Sequence, residues 1–189
     1  MSGALIVLAV FFGILILLAL AMIGMYNALV GARNQVDNAW SQIDVQLKRR
    51  HDLIPNLVET AKGYMKHERE TFESITKARS AAMGARTVAE ASQAEGQLAD
   101  ALSKFMLVVE NYPELKANQN FLALQEELTA TENRIAFARQ NYNDQTLSYN
   151  NRIQMFPSNI VAGMFGFSKR DFFEVQTAAE REVPKVSFS

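Results

Sequence analysis

The sequence predicts an all-α protein. It reads as an N-terminal transmembrane helix followed by an elongated antiparallel bundle of three long helices, kinked near Pro55, with a short hydrophobic C-terminal segment. Three observations predict this. Residues 3–26, GALIVLAVFFGILILLALAMIGMY, carry no charge. Downstream, apolar residues recur at alternating spacings of three and four, the pattern of helices packed side by side at a shallow angle. Turn-forming Gly and Pro fall at two places that divide this repeat, in MGARTV and in NYPELKAN. The expected divisions are an anchor over 1–27, a bundle over 28–156, and a C-terminal segment and tail over 157–189.

As a helix, residues 3–26 extend ~36 Å, enough to cross a hydrocarbon core of ~30 Å with some tilt. A cleaved secretory signal is the rival reading, since Ala19-Leu20-Ala21 faintly resembles a cleavage site. Met1-Ser2-Gly3 lacks Lys and Arg, however, and the apolar run is long for a signal core. An uncleaved anchor is expected, with the lipid bilayer as partner through residues 3–26. No charged side chain precedes Arg33, and Lys48, Arg49 and Arg50 follow it. Positive residues near a span favour the cytoplasmic side, which predicts a short N-terminus outside and the domain inside.

The first helix of the bundle is expected over 28–83. Val36, Trp40, Ile43, Leu47, Ile54, Leu57, Ala61, Tyr64, Phe72 and Ile75 form its stripe, which Arg50 and Glu68 interrupt. Gly84 supplies a stop, and Thr87 with Glu90 three residues on reads as a capping box. A second helix then runs to about Glu110 with Ala91, Leu98, Leu102, Phe105 and Val109 facing inward. Pro113 cannot continue the hydrogen-bond ladder. A third helix starts near Asn118 and runs to about Gln154, burying Phe121, Leu124, Leu128, Thr131, Ile135, Ala138, Tyr142 and Tyr149. Helices of these lengths, the first ~80 Å, describe a rod standing on the membrane, with long flanks that a homo-oligomer would cover.

Residues 153–168, IQMFPSNIVAGMFGFS, carry no charge and are followed by Phe172 and Phe173. The segment is too short, and too broken by Pro157, Gly163 and Gly166, to span a bilayer. Three fates are open to it: capping its own bundle, contacting a neighbour, or dipping into a membrane interface. The candidate contact residues are Phe156, Ile160, Val161, Met164, Phe165, Phe167, Phe172 and Phe173. The tail VPKVSFS is expected to be extended.

Chemistry is sparse. The 19 cations are balanced by 20 anions, without the basic excess of a nucleic-acid binder. There is no Cys, hence no disulfide and no thiolate metal site. KHERE holds His67 and Glu68 but lacks the second His that a zinc-protease helix needs. A di-iron bundle would need a second Glu-x-x-His pair. There is no G-x-S-x-G and no phosphate-cradling loop. Glu126, Glu127 and Glu132 read as a solvated face, with Glu132 in reach of Arg134 or Arg139. No catalytic residue, cofactor or metal is expected.

The stretch VQLKRRHDLIPNLVET is read as a helix joint made by Arg49, Arg50, His51, Asp52 and Pro55. Proline inside a helix removes the bond to the carbonyl four residues back and presses its ring against it. That carbonyl belongs to His51, whose side chain and cationic neighbours are expected to help solvate it. Cations before the break and an acid inside it suit the end of one helical segment and the start of the next.

Residues 27–68, NALVGARNQVDNAWSQIDVQLKRRHDLIPNLVETAKGYMKHE, closely resemble the signature of the LemA family. Residues 132–167, ENRIAFARQNYNDQTLSYNNRIQMFPSNIVAGMFGF, resemble its second signature. The resemblance implies a bacterial, inner-membrane-anchored helical protein with a small N-terminus outside and the large domain inside. It brings no catalytic residues or cofactor to carry over. The expected function is a single-pass helical scaffold that self-assembles. The alternatives are an accessory or sensor subunit of an envelope protease or transporter, contacting other membrane proteins, and a metal-dependent enzyme using His51 or His67.

Overall fold

The computed structural model describes residues 3–174; the expected tail 183–189 lies outside them. Among the described residues there are six helices and no strand: α1 (Gly3–Lys62), α2 (Arg69–Gly84), α3 (Val88–Val109), α4 (Pro113–Lys116), α5 (Gln119–Gln154) and α6 (Ser158–Met164). The described chain divides into two compact units, 3–40 with 141–170, and 41–140 with 171–174.

α1 begins with a stretch long and apolar enough to cross a membrane, and none of that stretch is buried. The helix then continues without a break past Pro55 to Lys62. The expected first helix over 28–83 is therefore two helices, divided at 63–68. The physical reason is partly local and partly tertiary. Gly63 weakens the helix by its backbone freedom, and the chain turns with the amides of Tyr64 and Met65 both donating to the Ala61 carbonyl. Met65 is completely buried in the core. Tyr64 Oη accepts from Asn118 Nδ2 at 2.9 Å, and Tyr112 Oη donates to Glu68 Oε1 at 2.9 Å, so the turn is tied to the α4 region. Glu68, one of the two interruptions in the apolar stripe, marks this corner.

In the larger unit, Ile54, Leu57 and Ala61 of α1 pack with Phe72 and Ile75 of α2. Leu98 and Phe105 of α3, Leu115 of α4 and Phe121 of α5 complete the same core. Phe105 meets Phe72 at 6.2 Å and Phe121 at 6.3 Å between ring centroids. α3 opens with the full capping box: Thr87 Oγ1 accepts from the Glu90 amide, and the Glu90 carboxylate accepts from the Thr87 amide. Pro113 starts α4, and Asn118 caps α5 by accepting from the Phe121 amide at 3.0 Å.

In the smaller unit, Leu29, Ala32, Val36 and Ala39 of α1 are buried with Tyr142, Tyr149 and Ile153 of α5 and Val161 and Ala162 of α6. The C-terminal segment, expected to be too short and too broken to span a bilayer, contains α6. It ends with Gly166 at φ 70 and with the Phe167 amide donating to the Ala162 carbonyl at 3.0 Å. That combination is a Schellman cap, in which glycine takes the left-handed position without a Cβ clash.

A buried charge cluster and an exposed apolar segment

α1, α3 and α5 bring together a cluster of charged groups inside the larger unit. Arg50 is buried, its side chain 4% exposed, and it ion-pairs through Nη2 with Glu95 of α3 and through Nη1 with Glu132 of α5. His51 Nε2 lies 2.7 Å from the other Glu95 oxygen. An ionised carboxylate only accepts, so Nε2 carries the hydrogen and donates. Both Glu95 oxygens are thus engaged, and its side chain is 3% exposed. Burial pushes the Glu95 carboxyl up, but the His51 hydrogen bond and the charges of Arg50 and His51 outweigh it. The net result holds Glu95 below the usual carboxylate range.

The carbonyl that Pro55 leaves without an intrahelical partner is also satisfied. Arg79 Nε of α2 donates to the His51 carbonyl oxygen at 2.7 Å. The expected source of that bond was the side chain of His51 or its cationic neighbours. The structure assigns it to a different helix, because Arg50 and His51 are committed to Glu95.

The joint residues therefore separate. Arg50 and His51 form the buried cluster. Arg49 is exposed and pairs with Glu127 at 2.6 Å. Asp52 and Pro55 face solvent. Glu132, expected to pair along its own helix, reaches across to Arg50 and stays 56% exposed. Glu127, on the face expected to be solvated, meets the exposed Arg49 there. Sequence reading missed Glu95 and Arg79. A signal for Glu95 exists: it falls between Ala91 and Leu98 in the 4-3 stripe of α3, as Arg50 falls between Leu47 and Ile54 in α1. Charged residues of opposite sign thus occupy inward positions on two helices.

Around α6 the candidate contact residues also divide. Val161 and Phe173 are buried within their own chain. Phe156, Ile160, Met164 and Phe165 are between 54% and 79% exposed, and Phe172 is at 36%. Phe172 and Glu174 lie beside α3, where Ser92 Oγ donates to the Glu174 carbonyl. Phe167 is half-buried: Tyr26 meets it at 5.8 Å and Phe165 at 4.8 Å between centroids, and Arg33 Cζ lies 5.4 Å from the Phe167 centroid. Residues after Phe167 are stitched down. Tyr149 Oη donates to the Ser168 carbonyl at 2.9 Å, and Asn150 exchanges two bonds of 2.9 Å with the Arg170 backbone. The Arg170 guanidinium meets Asp37 at 3.0 Å. His67 is exposed, and among the described residues no group of three or more His, Asp and Glu gathers as metal ligands would.

Residues 39–188 match a family model described as the LemA family. The chain is similar to Protein LemA of Metamycoplasma hominis, at 30% identity over 166 residues, 87% of this chain and 73% of that protein. It is also similar to Magnetosome protein MamQ 2 of Paramagnetospirillum magneticum, at 24% identity over 184 residues, 84% of this chain and 68% of that protein. Magnetosome protein MamQ of Magnetospirillum gryphiswaldense matches at 23% identity over the same shares.

Proposed function

The chain belongs to the LemA family, and on that premise we propose that it is a single-pass, membrane-anchored, non-catalytic scaffold that self-associates. The observation that carries the reading is a contrast within α1. Its first part is apolar, uncharged and unburied, whereas farther along the same helix Arg50 and His51 are locked among other helices. A bare apolar helix of that length has a bilayer as its natural solvent. Arg33, the first charged side chain after the span, supports an orientation with the domain on the cytoplasmic side of a bacterial inner membrane.

Self-association is supported by large apolar side chains left outside the larger unit's core. Leu107 of α3 is 69% exposed, and Phe137 of α5 is 74% exposed. Two such side chains on the flanks of these helices suit burial against a second copy. The anchor is tested by washing native membranes with alkaline carbonate. The full chain stays with the bilayer pellet; its release into the wash would refute the anchor.

A further inference from the structure

We propose that α6 and its flanking residues form a second membrane contact, lying in the headgroup and acyl boundary of the leaflet from which α1 emerges. The proposal rests on the anchor reading above. Its occupant is lipid, and the argument is continuity with the span. Tyr26 closes the apolar run of α1, just before Asn27, and it is the residue against which Phe165 and Phe167 pack. Tyrosine at the end of a span belongs at headgroup level, so these two contacts set the depth of the segment that carries them.

The rest of the segment has the composition for that depth. From Ile153 to Ser168 there is no charge. Val161 and Ala162 turn into the protein, which leaves Phe156, Ile160, Met164 and Phe165 outward, each more than half exposed. Ile160 and Met164 are one turn apart on α6, so their side chains share a face. Arg33, the first charge of the chain, covers the ring of Phe167 and lies seven residues, ~10 Å along the helix, beyond Tyr26. A cation at that height meets phosphates while the apolar face below it meets acyl chains. The Schellman turn at Gly166 and the two Asn150 bonds to Arg170 then lead the chain away from the boundary.

The chain has no native cysteine, so single-cysteine variants of the full-length protein report one position each. Spin labels at Ile160→Cys and Met164→Cys are read in vesicles of phosphatidylethanolamine and phosphatidylglycerol. Oxygen and a water-soluble nickel chelate serve as relaxants. Leu15→Cys reports the span, and Lys66→Cys reports an exposed site in the larger unit. The expected result is oxygen-dominated relaxation at 160 and 164 at a depth of about 5–10 Å, with label 15 deeper and label 66 reached by nickel. If label 15 is deep while 160 and 164 are reached freely by nickel, the second contact is wrong and the anchor stands. If nickel reaches label 15, the anchor reading fails and takes this one with it. If 160 and 164 are shielded from both relaxants and show coupling between copies, the face belongs to a neighbouring chain and the proposal is overturned.

Discussion

Glu95 holds two partners at once, and its removal would leave Arg50 charged and buried. Breaking a buried pair from one side costs about 3–5 kcal/mol, so Glu95→Ala should lower unfolding free energy by about that much. Glu132→Ala removes an exposed partner and should cost less than about 1 kcal/mol. Replacing both buried members, Arg50→Met with Glu95→Met, should recover part of the Glu95→Ala loss, because the buried Arg50 charge leaves with its partner. Denaturant titration of the three variants decides this. The same carboxylate sets a pH response. Its folded proton affinity is lowered, so as pH falls the unfolded chain takes up the proton first. The stability it supplies is full above the ordinary glutamate value of about 4.3 and is lost as pH drops through the lower folded value. The gap in denaturation midpoint between the native chain and Glu95→Gln should therefore be flat from pH 7 to 5 and close below pH 4.

Arg79 and Pro55 make a pair whose coupling can be measured. The carbonyl of His51 takes its hydrogen bond from Arg79 because residue 55 has no amide hydrogen to give. Arg79→Ala should cost about 1–3 kcal/mol in the native background. In Pro55→Ala the restored amide takes over, and the same change should cost markedly less. Equal costs in both backgrounds would mean that the proline and the arginine act separately. The cluster was partly legible in the sequence. Arg50 and Glu95 each break an apolar stripe at an inward position, which is what a charge with a buried partner looks like. Arg79 was not legible, because its acceptor is a backbone oxygen 28 positions away and no pattern of side chains encodes that.

At the scale of elements, starts and stops with their own side-chain chemistry were readable. Thr87 with Glu90, Gly84, Pro113 and Asn118 each act where the sequence places them. The corner at 63–68 was not readable, because Gly63 alone permits either a continued helix or a turn. The tertiary bonds of Tyr64 and Glu68 decide between them. α6 was hidden for a similar reason: Pro157, Gly163 and Gly166 argue against a long helix but allow a short one. Gly166 carries the consequence. At φ 70 an alanine should cost about 1 kcal/mol, and loosening of the turn should withdraw Phe167 from Tyr26. A lowered thermal midpoint together with altered tyrosine fluorescence would register both effects.

For the molecule, the sequence spoke clearly about where charge is missing and poorly about what covers the missing places. An uncharged run at 3–26 and another at 153–168 were visible as composition. That Tyr26 joins them is a fact of the fold. Exposed Leu107 and Phe137 sit outside the stripes that periodicity picks out, so nothing in spacing pointed to them. Self-association is the claim on which the scaffold reading depends most. Its direct measurement is the mass of the full chain extracted with its surrounding lipid, native and as Leu107→Asp with Phe137→Asp. The account predicts a particle holding several 21.1 kDa chains for the native protein and a shift to single chains for the double variant, with helix content kept. A native particle holding one chain would contradict it.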